Sequence, residues 1–581
     1  MKATFVRTGA CLPLLIAAAF PSHATQPLAC DSLLGSFIEG ATITTAQLNA
    51  ATATLPEHCE VLGTINPRTG IDGQPYALKL HLRMPIAWNE RFFYQGGGGT
   101  DGNLGNADAA QIQQGYAVVS TDSGHDNTVN NTALAGSFQF GFDPQARSDY
   151  GYNGPARVAA AAKAISKKFY RKPAKYSYFV GCSEGGREGL MFSQRYPEIF
   201  DGIVSGNPGM DLPKAAVAEA WDSQAFAAAA RTKTPFDNPD LASSFTPAEL
   251  TTVGNAILQA CDAQDGVVDG MVQNPNACRF DPQTLGPAGT GALSGAQVTA
   301  LEKVFGGAKN SRGRSLYAGW FWDPGMAAPG WRVWKIGPLL PVPGNTSLNT
   351  TLGGGALPFI FTTPPNSATG GTALHGSSVV TTAGPNPGFS GLNDSFVPWV
   401  LGFNMDTDAP KIFARGAFAE SAMDFMGTSS TDYRHFRRGG NKLIVYSGQA
   451  DPVFSSKYHI RWYDRLVDDN GGLRRTQDFA RLFLVPGMNH CGGGPAASQF
   501  DAFAALVKWV ERDNAPDSLL GTAGADTPWP GRTRPLCPYP EYARYKGHGN
   551  VEDAASFVCV APRDDDHGHH GHDGHDRHDD D

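Results

Sequence analysis

Charge is scarce in this 581-residue chain: Asp, Glu, Lys and Arg make up 17% of it and balance to a net −9. A sparse, acid-leaning surface argues against nucleic acid or an anionic membrane as partner. Residues 336–410 contain neither Lys nor Arg. No two cysteines have the C-x-x-C spacing of a thiolate metal site, and no glycine-rich run ends in the G-K-S/T of a phosphate-binding loop. Beyond the N-terminus, no apolar stretch has the length of a membrane span. At that N-terminus, Lys2 and Arg7 precede an apolar run over 11–20, and Ser22-His23-Ala24 resembles a cleavage site. Residues 1–24 therefore read as a secretory signal, and the mature chain as secreted or periplasmic.

What is present is a strand–turn–helix pattern around Gly181-Cys182-Ser183-Glu184-Gly185. The β-rich run Tyr176-Ser177-Tyr178-Phe179-Val180 leads into it, and a helix-compatible run from Arg187 leads out. G-x-S-x-G in that setting is a nucleophile elbow: small neighbours permit a strained turn that projects the hydroxyl, and the helix N-terminus favours developing negative charge. Downstream, 442–445 reads as a buried strand followed by a turn and Asp451; 481–485 reads as another, followed by a loop with His490. Ser, then Asp, then His is the chain order of α/β-hydrolases. Ser183 is the candidate nucleophile, His490 its base and Asp451 the acid that orients the imidazole. Cys182 adjoins the serine and Cys491 the histidine, so if Ser183 and His490 meet, a disulfide lies within reach.

Cys-Ser, a distant Asp, then His-Cys resembles the tannase/feruloyl esterase family of serine esterases, which includes the mono(2-hydroxyethyl) terephthalate hydrolases. The resemblance runs over about 30–559 and takes in the run from Phe93 to Thr100 and the closing Arg534-Pro535-Leu536-Cys537-Pro538. It implies an α/β-hydrolase fold and ester hydrolysis. It points to the N–H of Gly99 as an oxyanion donor, with Glu184, next after the nucleophile, as the other; the alternative for the Gly96–Gly99 run is a merely flexible loop. Removal of Cys11 with the signal leaves eight cysteines, and spacing alone leaves 105 connectivities. Nearness suggests Cys261–Cys278 and Cys537–Cys559, the active-site argument gives Cys182–Cys491, and Cys30–Cys59 remains; the resemblance implies the same four. The acidic loop after Cys261 suits Ca²⁺ or is a solvated turn. The resemblance implies a structural calcium held by Asp262, Asp265, Asp269 and the carbonyls of Val267 and Met271.

Strand-like stretches at 77–84, 91–94, 116–120, 176–181 and 202–205 alternate with helical ones, among them 156–169; the same character returns at 442–445 and 481–485, with helices at 459–466 and 501–512. That alternation predicts a mostly parallel sheet flanked by helices. It gives an α/β-hydrolase core over 25–209 and 427–562, a large inserted lid over 210–426, and a disordered His/Asp-rich tail over 563–581. Within the lid, Trp320, Trp322, Trp331, Trp334, Phe359, Phe361 and Trp399 are either pocket lining or lid core. Phe454, three residues after Asp451, is the candidate substrate contact. Thr121-Asp122-Ser123-Gly124-His125-Asp126 precedes the nucleophile and reads as structural.

The substrate expected is a small aromatic ester. A terephthalate half-ester carries a carboxylate that a buried site must pair with a cation. Relatives that cleave such half-esters use a lid arginine, which aligns near 352–361, and only neutral residues stand there. A feruloyl, hydroxycinnamoyl or galloyl ester fits better. The alternatives are a terephthalate half-ester hydrolase, a peptidase, or a non-catalytic polyphenol-binding protein on the same fold.

Overall fold

The computed structural model describes residues 26–132, 135–338, 346–365, 397–416 and 418–562. The expected signal segment 1–24 and tail 563–581 lie outside them. Ten strands form one sheet: β1 (Phe37–Ile38), β2 (Ala41–Asn49), β3 (His58–Thr69), β4 (Pro75–Pro85), β5 (Arg91–Gln95), β6 (Ala117–Thr121), β7 (Tyr176–Cys182), β8 (Gly202–Gly206), β9 (Lys442–Gly448) and β10 (Ala480–Val485). Their order is β1-β2-β3-β4-β6-β5-β7-β8-β9-β10. From β6 to β10 every neighbour runs parallel. From β1 through β4 to β6 the pairing is antiparallel.

Period-two alternation sorts the central strands onto two cores. Phe92, Tyr94, Phe179, Ile203, Leu443 and Val445 face one layer. Phe93, Tyr178, Val204, Ile444 and Phe483 face the other. Both faces are covered by helices, so β6 and β8 are buried along their whole length, as parallel strands between two helical layers must be. Gly154–Tyr170 and Glu184–Arg195 contribute to the first core and Ala502–Arg512 to the second.

All seven expected strands are present. The antiparallel extension β1–β3 was not foreseen; β1 and most of β2 are at least partly exposed, β3 buries Cys59, Val61 and Ile65 in the core, and bulges break the register of β2 and β3. Between β8 and β9 the described residues form helices, turns and loops but no strand of the sheet. This insertion has a core of its own around Phe226, Leu301 and Trp331, while its Phe359 and Phe361 pack with Phe138 and Tyr150, from the segment between β6 and β7, in a core shared with the rest of the chain.

Candidate active site

β5 and β7 are neighbours, with β6 on the far side of β5, so the loops leaving β5 and β7 diverge and open a crevice at the strands' carboxyl ends. The Gly-rich run follows β5, Ser183 follows β7, Asp451 follows β9 and His490 follows β10. Parallel pairing thus delivers all four to one edge of the sheet.

Ser183 has φ 65° and ψ −122°, a conformation that costs a side-chain-bearing residue about 1–3 kcal/mol. It is held there by Ser183 N donating to Gly206 O at 3.0 Å, and by Ser183 O accepting from Arg187 N at 3.0 Å and Gly209 N at 3.1 Å. Glycine is needed behind it: a Cβ on Gly185 would stand 2.7 Å from Gly97 O.

His490 Nε2 lies 2.8 Å from Ser183 Oγ, and His490 Nδ1 lies 3.0 Å from Asp451 Oδ2 and 3.2 Å from Oδ1. A carboxylate on Nδ1 keeps the proton there and leaves Nε2 to accept from the serine. Asp451 is fully enclosed and also accepts from Asn207 Nδ2 at 2.5 Å, Val453 N at 2.7 Å and Phe454 N at 3.2 Å. Burial pushes its pKa up, but His490 and these donors outweigh burial and hold the carboxyl below its ordinary value. Cys182 and Cys491 are bridged, with Cα atoms 6.1 Å apart across 309 residues of chain. The other three expected bridges are also present: Cys30–Cys59, Cys261–Cys278 and Cys537–Cys559.

Two aromatic edges flank the imidazole: the Phe454 ring at 5.4 Å and 71°, and the Trp334 ring at 4.9 Å and 70°. A cavity of about 580 Å³ opens beside His490, lined by Pro324, Ala328, Gly330, Trp334 and the glycines 492–494 among others. That volume suits a small ligand. Among its described lining residues are neither Lys nor Arg; Asp526 is the one carboxylate. Gly99, with φ 65°, lies on the loop after β5, and Glu184 is the first residue of the nucleophile helix. The Glu184 side chain turns inward to a buried pair with Arg187.

Trp320, Trp331 and Trp322 belong to the insertion's own packing: Trp320 lies under the Lys335 ammonium at 3.6 Å, Trp331 against Phe226, and Trp322 stacks on Phe305. Phe359 and Phe361 are core, and Trp399 packs on Phe403. In the 121–126 segment, Asp122 accepts from Lys79 N and Gly124 N while His125 is buried against Phe140, a structural arrangement. Asn207 escaped the sequence reading, because Ser205-Gly206-Asn207-Pro208 reads simply as a turn.

The acidic loop offers hard oxygen donors. Asp262 accepts from Asp269 N and Gly270 N, Asp265 Oδ1 from Val267 N, and Asp269 Oδ1 from Met271 N while its other oxygen meets Arg534. Asp265 Oδ2 is buried without a partner, and burial together with Asp269 and Asp262 pushes that carboxyl up to about 8. The donor chemistry fits Ca²⁺, but among the described residues no three or more acidic, His or Cys side chains converge as a metal cluster.

Fold and site together define an α/β-hydrolase with a Ser–His–Asp relay. A profile described as "Tannase and feruloyl esterase" matches residues 59–339 and 396–560, and the chain belongs to that family of carboxylic ester hydrolases. It is 42% identical over 554 residues to the mono(2-hydroxyethyl) terephthalate hydrolase of Piscinibacter sakaiensis, covering 89% of this chain and 87% of that protein. It is 29% identical over 506 residues to a probable feruloyl esterase of Arthroderma benhamiae, covering 82% and 81%. Among solved structures, feruloyl esterase B from Aspergillus oryzae superposes with a TM-score of 0.68 at 23% identity, covering 92% of this chain and 100% of that one. Tannin acyl hydrolase from Aspergillus niger superposes with a TM-score of 0.63 at 22% identity, covering 92% and 94%. These two support the fold.

Proposed function

We propose that the protein hydrolyses esters of aromatic acids of the feruloyl, hydroxycinnamoyl or galloyl kind through an acyl-enzyme. The observation that carries this is the hydrogen-bonded chain Ser183–His490–Asp451 beside a cavity. Ser183 Oγ attacks the ester carbonyl while His490 Nε2 takes its proton, and the N–H groups of Gly99 and Glu184 hold the oxyanion. His490 then protonates the departing alcohol oxygen, and water repeats the sequence to release the acid. Asp451 keeps the imidazole tautomer and stabilises its cation. Phe454 flanks the acyl group.

A neutral acyl group is favoured by the absence of Lys and Arg from 336–410 and from the described residues that line the cavity. The 42% identical relative favours a second reading, the terephthalate half-ester. Comparing kcat/KM on methyl ferulate, methyl gallate and the mono(2-hydroxyethyl) half-ester decides between them: the first reading expects a neutral ester to lead, and a leading half-ester replaces it. The non-catalytic alternative falls if turnover disappears in Ser183→Ala.

The reading extends to the rest of the chain. Residues 210–426 act as a lid on the core formed by 25–209 and 427–562. Ca²⁺ stiffens the lid at Asp262, Asp265, Asp269 and the Val267 and Met271 carbonyls, a role supported by the unpartnered Asp265 oxygen. Residues 1–24 direct export, in keeping with four disulfides, which persist in oxidising compartments.

A further inference from the structure

Beneath the Gly-rich loop lies a set of buried acids to which the proposed reaction gives no role. Glu188 stands one helical turn after Glu184 on the nucleophile helix, and it is 0% exposed. A lone acid on a helix is ordinarily solvated; this one turns inward to the loops that follow β5 and β6. Its Oε2 accepts from Gly97 N at 2.9 Å, and its Oε1 accepts from the Ser123 hydroxyl at 3.4 Å. Asp101, also buried, accepts from Gly98 N at 2.9 Å through Oδ1 and closes the turn by donating its own N–H to Gly98 O at 3.0 Å. Two consecutive loop N–H groups are thus held by two carboxyls, one on the loop and one on the helix.

The cation facing the cluster, Arg187, is already engaged by Glu184 Oε1 and by the carbonyls of Gly151 and Tyr150. Burial, with Asp101 and Glu184 close by, pushes the Glu188 carboxyl well above its ordinary value, and burial pushes Asp101 up to about 6. Leaving such acids buried is costly unless they hold something in place. The helix carries Ser183 and the Glu184 N–H, while the loop carries Gly99. The Glu188–Gly97 bond joins one to the other.

We propose that Glu188, seconded by Asp101, is a positioning residue: it fixes the Gly-rich loop against the nucleophile helix so that the Gly99 and Glu184 N–H groups converge on one oxygen. The inference rests on the oxyanion assignment proposed above. Oxyanion donors act on the transition state, so their misplacement lowers kcat and leaves KM nearly alone.

The test is steady-state hydrolysis of 4-nitrophenyl acetate by the full chain. Glu188→Met keeps the volume and removes the acceptor; kcat is expected to fall about 100-fold with KM within about threefold. Glu188→Gln keeps an oxygen for Gly97 N and resembles the protonated acid, so it should recover to within about tenfold of wild type. Should Glu188→Met fail to fold, Gly97→Ala serves. Its Cβ would stand 2.0 Å from Asp101 Oδ1 and displace that carboxyl, again lowering kcat selectively. The inference is overturned if folded Glu188→Met keeps wild-type kcat, if Glu188→Gln is as impaired as Glu188→Met, or if Gly97→Ala raises KM alone. Ser183→Ala, run alongside, separates the two levels: activity in that variant sinks the underlying reading, whereas its inactivity beside an unimpaired Glu188→Met sinks this inference only.

Discussion

Ser183 and Cys491 both adopt left-handed backbone, at φ 65° and 61°, and each adjoins or belongs to the bridge that joins their loops. Strain of this kind persists where the surroundings over-determine it. Removing the hydroxyl by Ser183→Ala should lower ester turnover by about four orders of magnitude or more with folding intact, and His490→Ala by a comparable amount; retention of a tenth of the activity by either would remove it from the relay. Asp451→Asn should cost about 10⁴-fold in kcat by favouring the wrong tautomer, checked on methyl ferulate at saturating substrate. The relay's residue types and order were legible because each follows a buried strand with a local signature. Asn207 was not, since nothing in a turn sequence tells which side chain folds back onto a carboxylate 244 positions away. Glu188 was not either: in sequence it is a polar helix residue, and only the crossing of loop and helix buries it.

Among the elements, the β7 elbow was the most legible, because apolar alternation, small residues and a helix start coincide within a dozen positions. β2 and β3 were the least: β2 is mostly polar and part exposed, and bulges interrupt the register of both. The pairing of β3 with β4 has a pH signature. Glu60 on β3 stands opposite Arg83 on β4 and also meets His81 and Asn49. Burial raises its pKa, but these partners prevail and hold it at about 2, against an ordinary 4.5. Between those values the unfolded chain binds the proton and the folded one does not, so this contribution is present above pH 4.5 and is lost as pH falls towards 2. The melting-temperature gap between wild type and Glu60→Gln should narrow through that window; a constant gap would contradict the pairing. The Cys182–Cys491 bridge ties the nucleophile loop to the base loop. Its removal in Cys182→Ala/Cys491→Ala should cost about 2–5 kcal/mol of stability. The greater effect should be on turnover, about 100-fold for an ångström-scale drift of the base, at temperatures where circular dichroism is still native. Full activity would deny the bridge a role in alignment.

On the scale of the whole molecule, one sheet brings Ser183, Asp451 and His490 to a single edge, and the long insertion between β8 and β9 contributes Trp334 at the imidazole's edge while Trp320 and Trp331 build a core within it. The sequence showed that an insertion was present through the collapse of strand–helix alternation. It could not sort Trp334 from Trp331, because three residues on a short helix decide which faces the site and which the core. If calcium stiffens this part, chelation should lower the melting temperature more than the initial rate, and added Ca²⁺ should raise it; a melting curve indifferent to both would remove the ion. The central claim is that one serine, Ser183, carries the acyl group. Its most direct measurement is titration with a fluorophosphonate followed by peptide mapping. The account predicts a single adduct on the Ser183 peptide, still bridged to the His490 peptide before reduction, with esterase activity lost in proportion to labelling. Activity that survives complete labelling of Ser183, or an adduct on another residue that tracks the loss, would contradict it.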